Sequence, residues 1–326
     1  MRSPSCPRFG YFGHHKCAST WIQYLVHALC QPLALRHCTV PTPSSFGGNL
    51  PAYLETHPTD FLCYTNAEPA RVAPLLDHMR AFHLIRDPRD MVVSAYFSHR
   101  KSHITEGWPE LPAMRAELEA CDLTTGLIRT IDHLADMPAG GDRLPIWRNL
   151  DEWTAVQHPH LLEVRFKDIV AAPYETFVRI LDHLGLVERS RFGFKSQVKW
   201  LLNHSLRLVS QRTGIAPHLA IARRLPVQVA LKICYDNSFV RVSGGRHPGT
   251  ADPQHHFRRG VPGDWRTYFD DDVVAHFKLR TGDLLIKQGY ETDPGWTSDN
   301  PFATSADESR VDDALDPAAS LPSAGD

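Results

Sequence analysis

Apolar residues recur along this chain in two alternating rhythms. Phe9 to Phe12 is a short run, and beyond a basic turn Trp21, Ile22, Leu25, Val26 and Leu29 return at helical spacing. The run DFLCYT (60–65) is again strand-like, and Val72, Leu75, Leu76 and Met79 mark the next helical stripe. AFHLI (81–85) and LLEVRF (161–166) repeat the strand signal. Asp87 and Pro88 then form a helix start, because a carboxylate caps free N–H groups and proline fits the first turn. Pro173 opens a helix carrying Phe177, Ile180, Leu181 and Leu184 on one face, and Gly185 closes it. Strands alternating with helices predict a parallel sheet covered on both faces. Ligands of such sheets lie at the strands' carboxyl ends.

Three stretches depart from this rhythm. Residues 40–50 form a Pro/Ser/Gly-rich loop. Residues 188–257 are basic, aromatic and of mixed periodicity, and include the irregular-loop signal NSFVRVSGGRHPGT; they are expected to cover the active face as a lid. Residues 292–326 are rich in Pro, Ser, Ala and Asp, and such a segment cannot repay its ordering entropy. The expected fold is therefore α/β: a P-loop-like parallel sheet with helices on both faces. It forms a single domain over 9–290 with a lid-like insertion and a disordered tail.

Composition narrows the function. The 326 residues are 42% hydrophobic and 22% charged with a net charge of −2, ordinary for a globular protein and opposed to one built to coat nucleic acid. Any anion site must be local. Seven cysteines at irregular spacing fit a reduced interior better than a disulfide framework or a zinc knuckle. Neither an apolar signal core nor a run long enough to span a bilayer stands out, so a cytoplasmic location is expected.

Three basic stretches carry chemistry. In FGHHKCASTWIQYL (12–25), Lys16, Ser19 and Thr20 precede or open a helix whose unpaired N–H groups and dipole favour an anion. A capped helix with an exposed lysine is the plainer reading. The Walker pattern GxxxxGK[ST] is absent. In LIRDPRDMVVSAY (84–96), Arg86 sits at a strand end. Ser94 falls two helical turns after Asp87, so Arg86 and Ser94 could clasp an anion together; an arginine paired with Asp87 or Asp90 is the alternative. In HHFRRGVPGDWRTYF (255–269), Arg258, Arg259 and Gly260 join two guanidinium groups to a backbone open to close approach, unless the arginines are merely solvated. Gly263-Asp264-Trp265 reads as a structural turn.

Together, in order, these stretches resemble the motifs of the cytosolic-type sulfotransferase family, which uses 3'-phosphoadenosine 5'-phosphosulfate. KCASTW is similar to its 5'-phosphosulfate loop, RDPRDMVVSAY to its 3'-phosphate motif and RRGVPGDWRTYF to its last donor-binding motif. The resemblance implies that Lys16 bridges the phosphate and the transferred sulfuryl group, with Cys17, Ala18, Ser19 and Thr20 cradling the 5'-phosphate. It implies that Trp21, Phe166 and Phe239 lie by the adenine. Arg86 and Ser94 would bind the 3'-phosphate from one side and Arg258, Arg259 and Gly260 from the other. No metal is implied. The acceptor would be a small-molecule, lipid or sugar hydroxyl or amine, held by the regions of least resemblance.

Two departures stand out. Cys17 and Ala18 replace the usual Ser and Gly, and Ala18 is tolerable if its backbone stays in a commonly allowed region. Tyr64-Thr65-Asn66 stands where the family has Lys-Thr-His, and asparagine is no general base. Glu68 and His15 are the substitute bases. His14 points elsewhere if the chain is extended, and His99 and His103 make either a metal pair or a polar helix face. The alternatives to a sulfotransferase are a non-catalytic binder of 3'-phosphoadenosine nucleotides and an ATP-dependent P-loop kinase.

Overall fold

The computed structural model describes residues 6–188 and 224–298, together with the isolated positions 198, 201, 202, 205 and 209. Strand β1 (Phe9–Phe12) leads through a tight turn into helix α1 (Ser19–Cys30). Strands β2 (His37–Val40), β3 (Phe61–Tyr64) and β4 (Arg80–Ile85) follow, with helices α2 (Leu50–Thr56) and α3 (Pro69–Val72) between them. Helix α4 (Pro88–Phe97) widens at its end into a π turn over Ser98–Ser102. Helices α5 (Leu111–Glu119) and α6 (Leu123–Ala135), a hairpin of β5 (Met137–Ala139) and β6 (Asp142–Leu144), and α7 (Ile146–Trp153) fill the interval before β7 (Leu161–Arg165). Helices α8 (Phe166–Ala171) and α9 (Pro173–Leu184) come next; after residue 224 lie α10 (Val227–Asp236), α11 (Phe239–Val242), α12 (Trp265–Tyr268), α13 (Asp271–Thr281) and α14 (Leu284–Lys287).

The central sheet has the order β2-β3-β1-β4-β7 and every pairing in it is parallel. Alternation divides its side chains between two cores. Phe9 and Tyr11 of β1 pack with Ile22, Leu25, Val26 and Leu29 of α1 and with α9, whereas Phe12 joins Leu62, Tyr64 and Trp153 on the opposite face. A third core, built on α4, α6 and α13, buries Met91, Ile131 and Phe277 beside the sheet.

The topology brings the basic stretches together. β1 pairs directly with β4, so the turn after Phe12 and the segment after Ile85 leave adjacent strand ends, where the connections diverge to opposite sides. Asp87 caps α4 by accepting from the Arg89 N–H. Arg89, not Arg86, forms the ion pair: it is buried against Asp87 and Glu291 and stacks on Trp265 and Trp296. Asp90 accepts hydrogen bonds from the amides of Gly263 (2.7 Å) and Trp265 (3.1 Å), tying the last basic stretch to α4.

Several boundaries differ from expectation. β2 occupies residues placed before the Pro/Ser/Gly loop, and α3 stops at Val72 and passes into a 3-10 turn over Ala73–Leu75, where Pro74 supplies no N–H for an α-helical bond. Phe166 begins a helix rather than ending a strand. Within NSFVRVSGGRHPGT, Phe239–Val242 makes one helical turn. Trp296, inside the expected tail, packs on Trp265 with ring centroids 5.7 Å apart; residues 299–326 lie outside the described residues, as do most of residues 189–223 within the expected lid over 188–257. Among the described residues no helix is long and apolar enough to cross a membrane.

Candidate active site

A cavity of about 680 Å³ opens at the carboxyl ends of β1, β3 and β4. Its floor is the turn before α1. Here the chain reverses so sharply that Lys16 (φ 62°) and Ala18 (φ 58°) both adopt left-handed backbone. Ala18 therefore departs from the expectation of an ordinary conformation. A side chain there costs about 1–2 kcal/mol, and the position is one where glycine would sit unstrained. The Cys17 N–H donates to the His14 carbonyl at 3.1 Å, and its thiol is fully buried 3.5 Å from Met91 Sδ. Cys17 thus faces the core, and its side chain takes no part in lining the cavity.

Lys16, Ala18, Ser19, Thr20 and Trp21 do line it. Ser19 Oγ donates to the His14 carbonyl (3.0 Å), and Trp21 Nε1 donates to the Asn237 carbonyl (2.5 Å), which joins α1 to the α10–α11 connection. Lys16 is half-buried, and desolvation together with Arg86 and Arg258 brings its ammonium down to about 7. Cations gathered this way disfavour one another until an anion arrives.

Arg86 reaches across from β4. Its guanidinium donates to the Lys16 carbonyl at 3.1 Å and lies over the Phe166 ring at 4.8 Å, while Nε is buried with no partner among the described residues. Ser94 faces the same cavity from α4, as its two-turn offset from Asp87 requires. Arg258, Arg259 and Gly260 form the facing wall. Both arginines pair with the buried Asp264, so they are held rather than solvated. Gly260 has φ 71°, and a Cβ there would lie 2.4 Å from the Phe239 ring, so only glycine fits beneath that aromatic. Phe166 and Phe239 both line the cavity.

The other end holds the candidate bases. Asn66 lines the cavity and spends Nδ2 on the Pro41 carbonyl at 2.8 Å. Glu68 does not line it: Arg71, one turn ahead on α3, binds its carboxylate, and the Tyr64 hydroxyl donates to it at 3.5 Å. His14 turns into the core and shares a 2.8 Å hydrogen bond with His83, the face alternation expected of it. His15 faces the cavity, and its Nε2 lies 2.8 Å from His99 Nε2.

His99, the second residue of the π turn, is fully buried with its ring edge-on to Trp108, so it is no exposed polar face. Burial first, then His99, Lys16, His103 and His256, hold the His15 imidazole well below its ordinary range. Among the described residues no group of three or more His, Cys, Asp or Glu is arranged to hold a metal ion. The His99 partnership, and His256 whose Nε2 lies 3.0 Å from Thr20 Oγ1, escaped sequence reasoning. The only available signal for the second was its place two residues before Arg258.

No family model and no curated sequence matches the chain. Solved structures do. A mouse sulfotransferase, SULT7A1, complexed with PAP is similar at a TM-score of 0.52 and 13% identity, over 87% of this chain and 89% of that one. Retinol dehydratase in a complex with retinol and PAP gives 0.51 and 16%, over 87% and 82%. The same enzyme with androsterone and inactive cofactor PAP gives 0.50 and 16% over the same shares. With its central parallel sheet flanked by helices on both faces, the chain has the sulfotransferase fold.

Proposed function

We propose that this chain is a sulfotransferase, moving a sulfuryl group from 3'-phosphoadenosine 5'-phosphosulfate to a hydroxyl or amine. One observation carries the reading. In a chain of net charge −2, Lys16 and Arg86 converge on one cavity at the N-terminus of α1, close enough to depress the lysine. A ligand with anionic groups at two places on one adenosine relieves that crowding.

Lys16, Ser19, Thr20 and the first amides of α1 hold the 5'-phosphosulfate end. Arg86 and Ser94 hold the 3'-phosphate, with Arg258, Arg259 and Gly260 closing from the facing wall. Trp21, Phe166 and Phe239 flank the base. Lys16 acts chiefly on the transition state, where charge grows on the departing phosphate oxygen as the sulfur–oxygen bond breaks. His15 takes the proton of the attacking hydroxyl, with the donor's anionic groups offsetting the burial and the Lys16 charge that disfavour its protonated form. Its Nε2 is engaged by His99, which leaves Nδ1 for the acceptor. Asn66 cannot take that proton, and Glu68 is committed to Arg71.

The test is turnover of sulfur-labelled donor over a panel of phenols, aliphatic alcohols, amines and sugars. Transfer of label to any acceptor supports the enzyme. Tight binding of adenosine 3',5'-bisphosphate with no transfer would leave only the non-catalytic binder, and preference for ATP would favour the kinase.

A further inference from the structure

Thr20 sits in the first turn of α1, where its hydroxyl faces any anion bound by that helix end. In this structure the hydroxyl already has a partner from far along the chain: His256 Nε2 lies 3.0 Å from Thr20 Oγ1, across 236 residues. Both residues line the same cavity. An anionic oxygen bonded to Thr20 Oγ1 on the side that His256 occupies would be within reach of both groups.

Resting on the donor reading above, we infer that His256 is a further ligand-binding residue of the 5'-phosphate grip, taking up a proton when the anion arrives and donating from Nε2. The imidazole suits the task because it is the side chain whose charge changes near neutrality. Without an anion it stays neutral: burial of its inner edge, then Lys16 from the turn, His103 from the π turn and neighbouring His255 all disfavour its charged form. Water at its exposed outer edge softens that effect. His15 faces the same space, being disfavoured in turn by His256. A phosphate placed among these groups reverses the sign of the local field and favours the imidazolium. The site would then match its positive charge to the ligand's, adding a cation only when it is needed. His256 also comes from the segment bearing Arg258, so one loop would grip both ends of the donor.

Calorimetry with adenosine 3',5'-bisphosphate at pH 6.0, in buffers of differing ionisation enthalpy, counts the protons taken up. Lys16 already carries its proton there, since its empty-site value is about 7. The wild-type protein should take up about half a proton more than His256→Gln, which retains hydrogen bonding to Thr20 but cannot be charged. By linkage its affinity should rise about twofold more between pH 7 and 6 than that of the variant. With adenosine 3'-phosphate, which lacks the 5'-phosphate, the two proteins should coincide. His256→Ala, with thermal unfolding as a check on folding, should behave as the glutamine variant does.

Equal proton uptake by wild type and both variants, with the bisphosphate bound, would overturn this role for His256 and leave the donor reading standing. Failure of the wild-type protein to bind the bisphosphate would remove the donor reading itself, and this inference with it.

Discussion

The two ends of the cavity are made of different material. Around Lys16 and Arg86 the wall is backbone, cation and helix terminus, set by the adjacent ends of β1 and β4. Around Asn66, His15 and Trp108 it is side chains from the β3–α3 turn, the residue just before Lys16 and the segment beyond the π turn. The first end is positioned by sheet pairing, which permits few arrangements. The second hangs on connections that can vary without disturbing the sheet. A donor common to many reactions suits the first construction, and an acceptor particular to one suits the second.

Substitutions should separate the two ends, beginning with the largest effect. Lys16→Ala is expected to lower turnover about a thousandfold while changing the dissociation constant of adenosine 3',5'-bisphosphate less than tenfold. A parallel fall in both would move Lys16 from the transition state to ground-state binding. His15→Gln should cost about a hundredfold with an aliphatic alcohol acceptor, the scale of lost proton transfer. It should cost far less with an acidic phenol, which gives up its proton unaided, and Glu68→Gln should stay within about twofold. Activity in His15→Gln that ignored the acceptor's acidity would show that His15 is no base.

Arg86→Ala should weaken the bisphosphate about 10- to 100-fold, as expected for a lost charge-assisted contact. It should leave adenosine 5'-phosphate nearly unaffected; equal losses for both nucleotides would take Arg86 away from the 3'-phosphate.

Proton linkage gives a smaller effect. Lys16 is near 7 in the empty site, and a bound anion raises it. The binding advantage is then complete below pH 7 and fades as pH rises, by up to about tenfold per pH unit toward the bound-state value. Affinity flat from pH 7 to 9 would mean that Lys16 carries no such linkage. The smallest effect concerns the fold alone: Ala18→Gly should raise stability by about 1 kcal/mol, because glycine takes the left-handed conformation without the side-chain cost. Denaturant unfolding reads it.

How much of this was legible in the residues follows the same division. Phe9–Phe12, the α1 stripe and the Asp87–Pro88 start were readable because period and capping are local properties. Lys16, Arg86 and Ser94 could be grouped because strand ends gather ligands in a parallel sheet. The exchange of Arg86 for Arg89 as partner of Asp87 could not be read, since it depends on Trp265, Trp296 and Glu291 arriving from the far end of the chain. Ala18 defied the local rule, because the turn geometry overrode residue preference. His99 was missed for a subtler reason. Its partner His15 lies 84 residues away in the β1–α1 turn, and no local period joins the two. Glu68 looked available although Arg71 lies three residues on at a Pro-marked helix start, a spacing at which an ion pair forms; that local signal was there to be read.

The central claim is that this cavity grips one adenosine by phosphates at two places. Titration calorimetry comparing adenosine 3',5'-bisphosphate with adenosine 5'-phosphate tests it most directly. The ribose 3'-phosphate should strengthen binding about 100-fold, from new charge-assisted contacts to Arg86 and its facing wall. Equal affinities for the two nucleotides would contradict it.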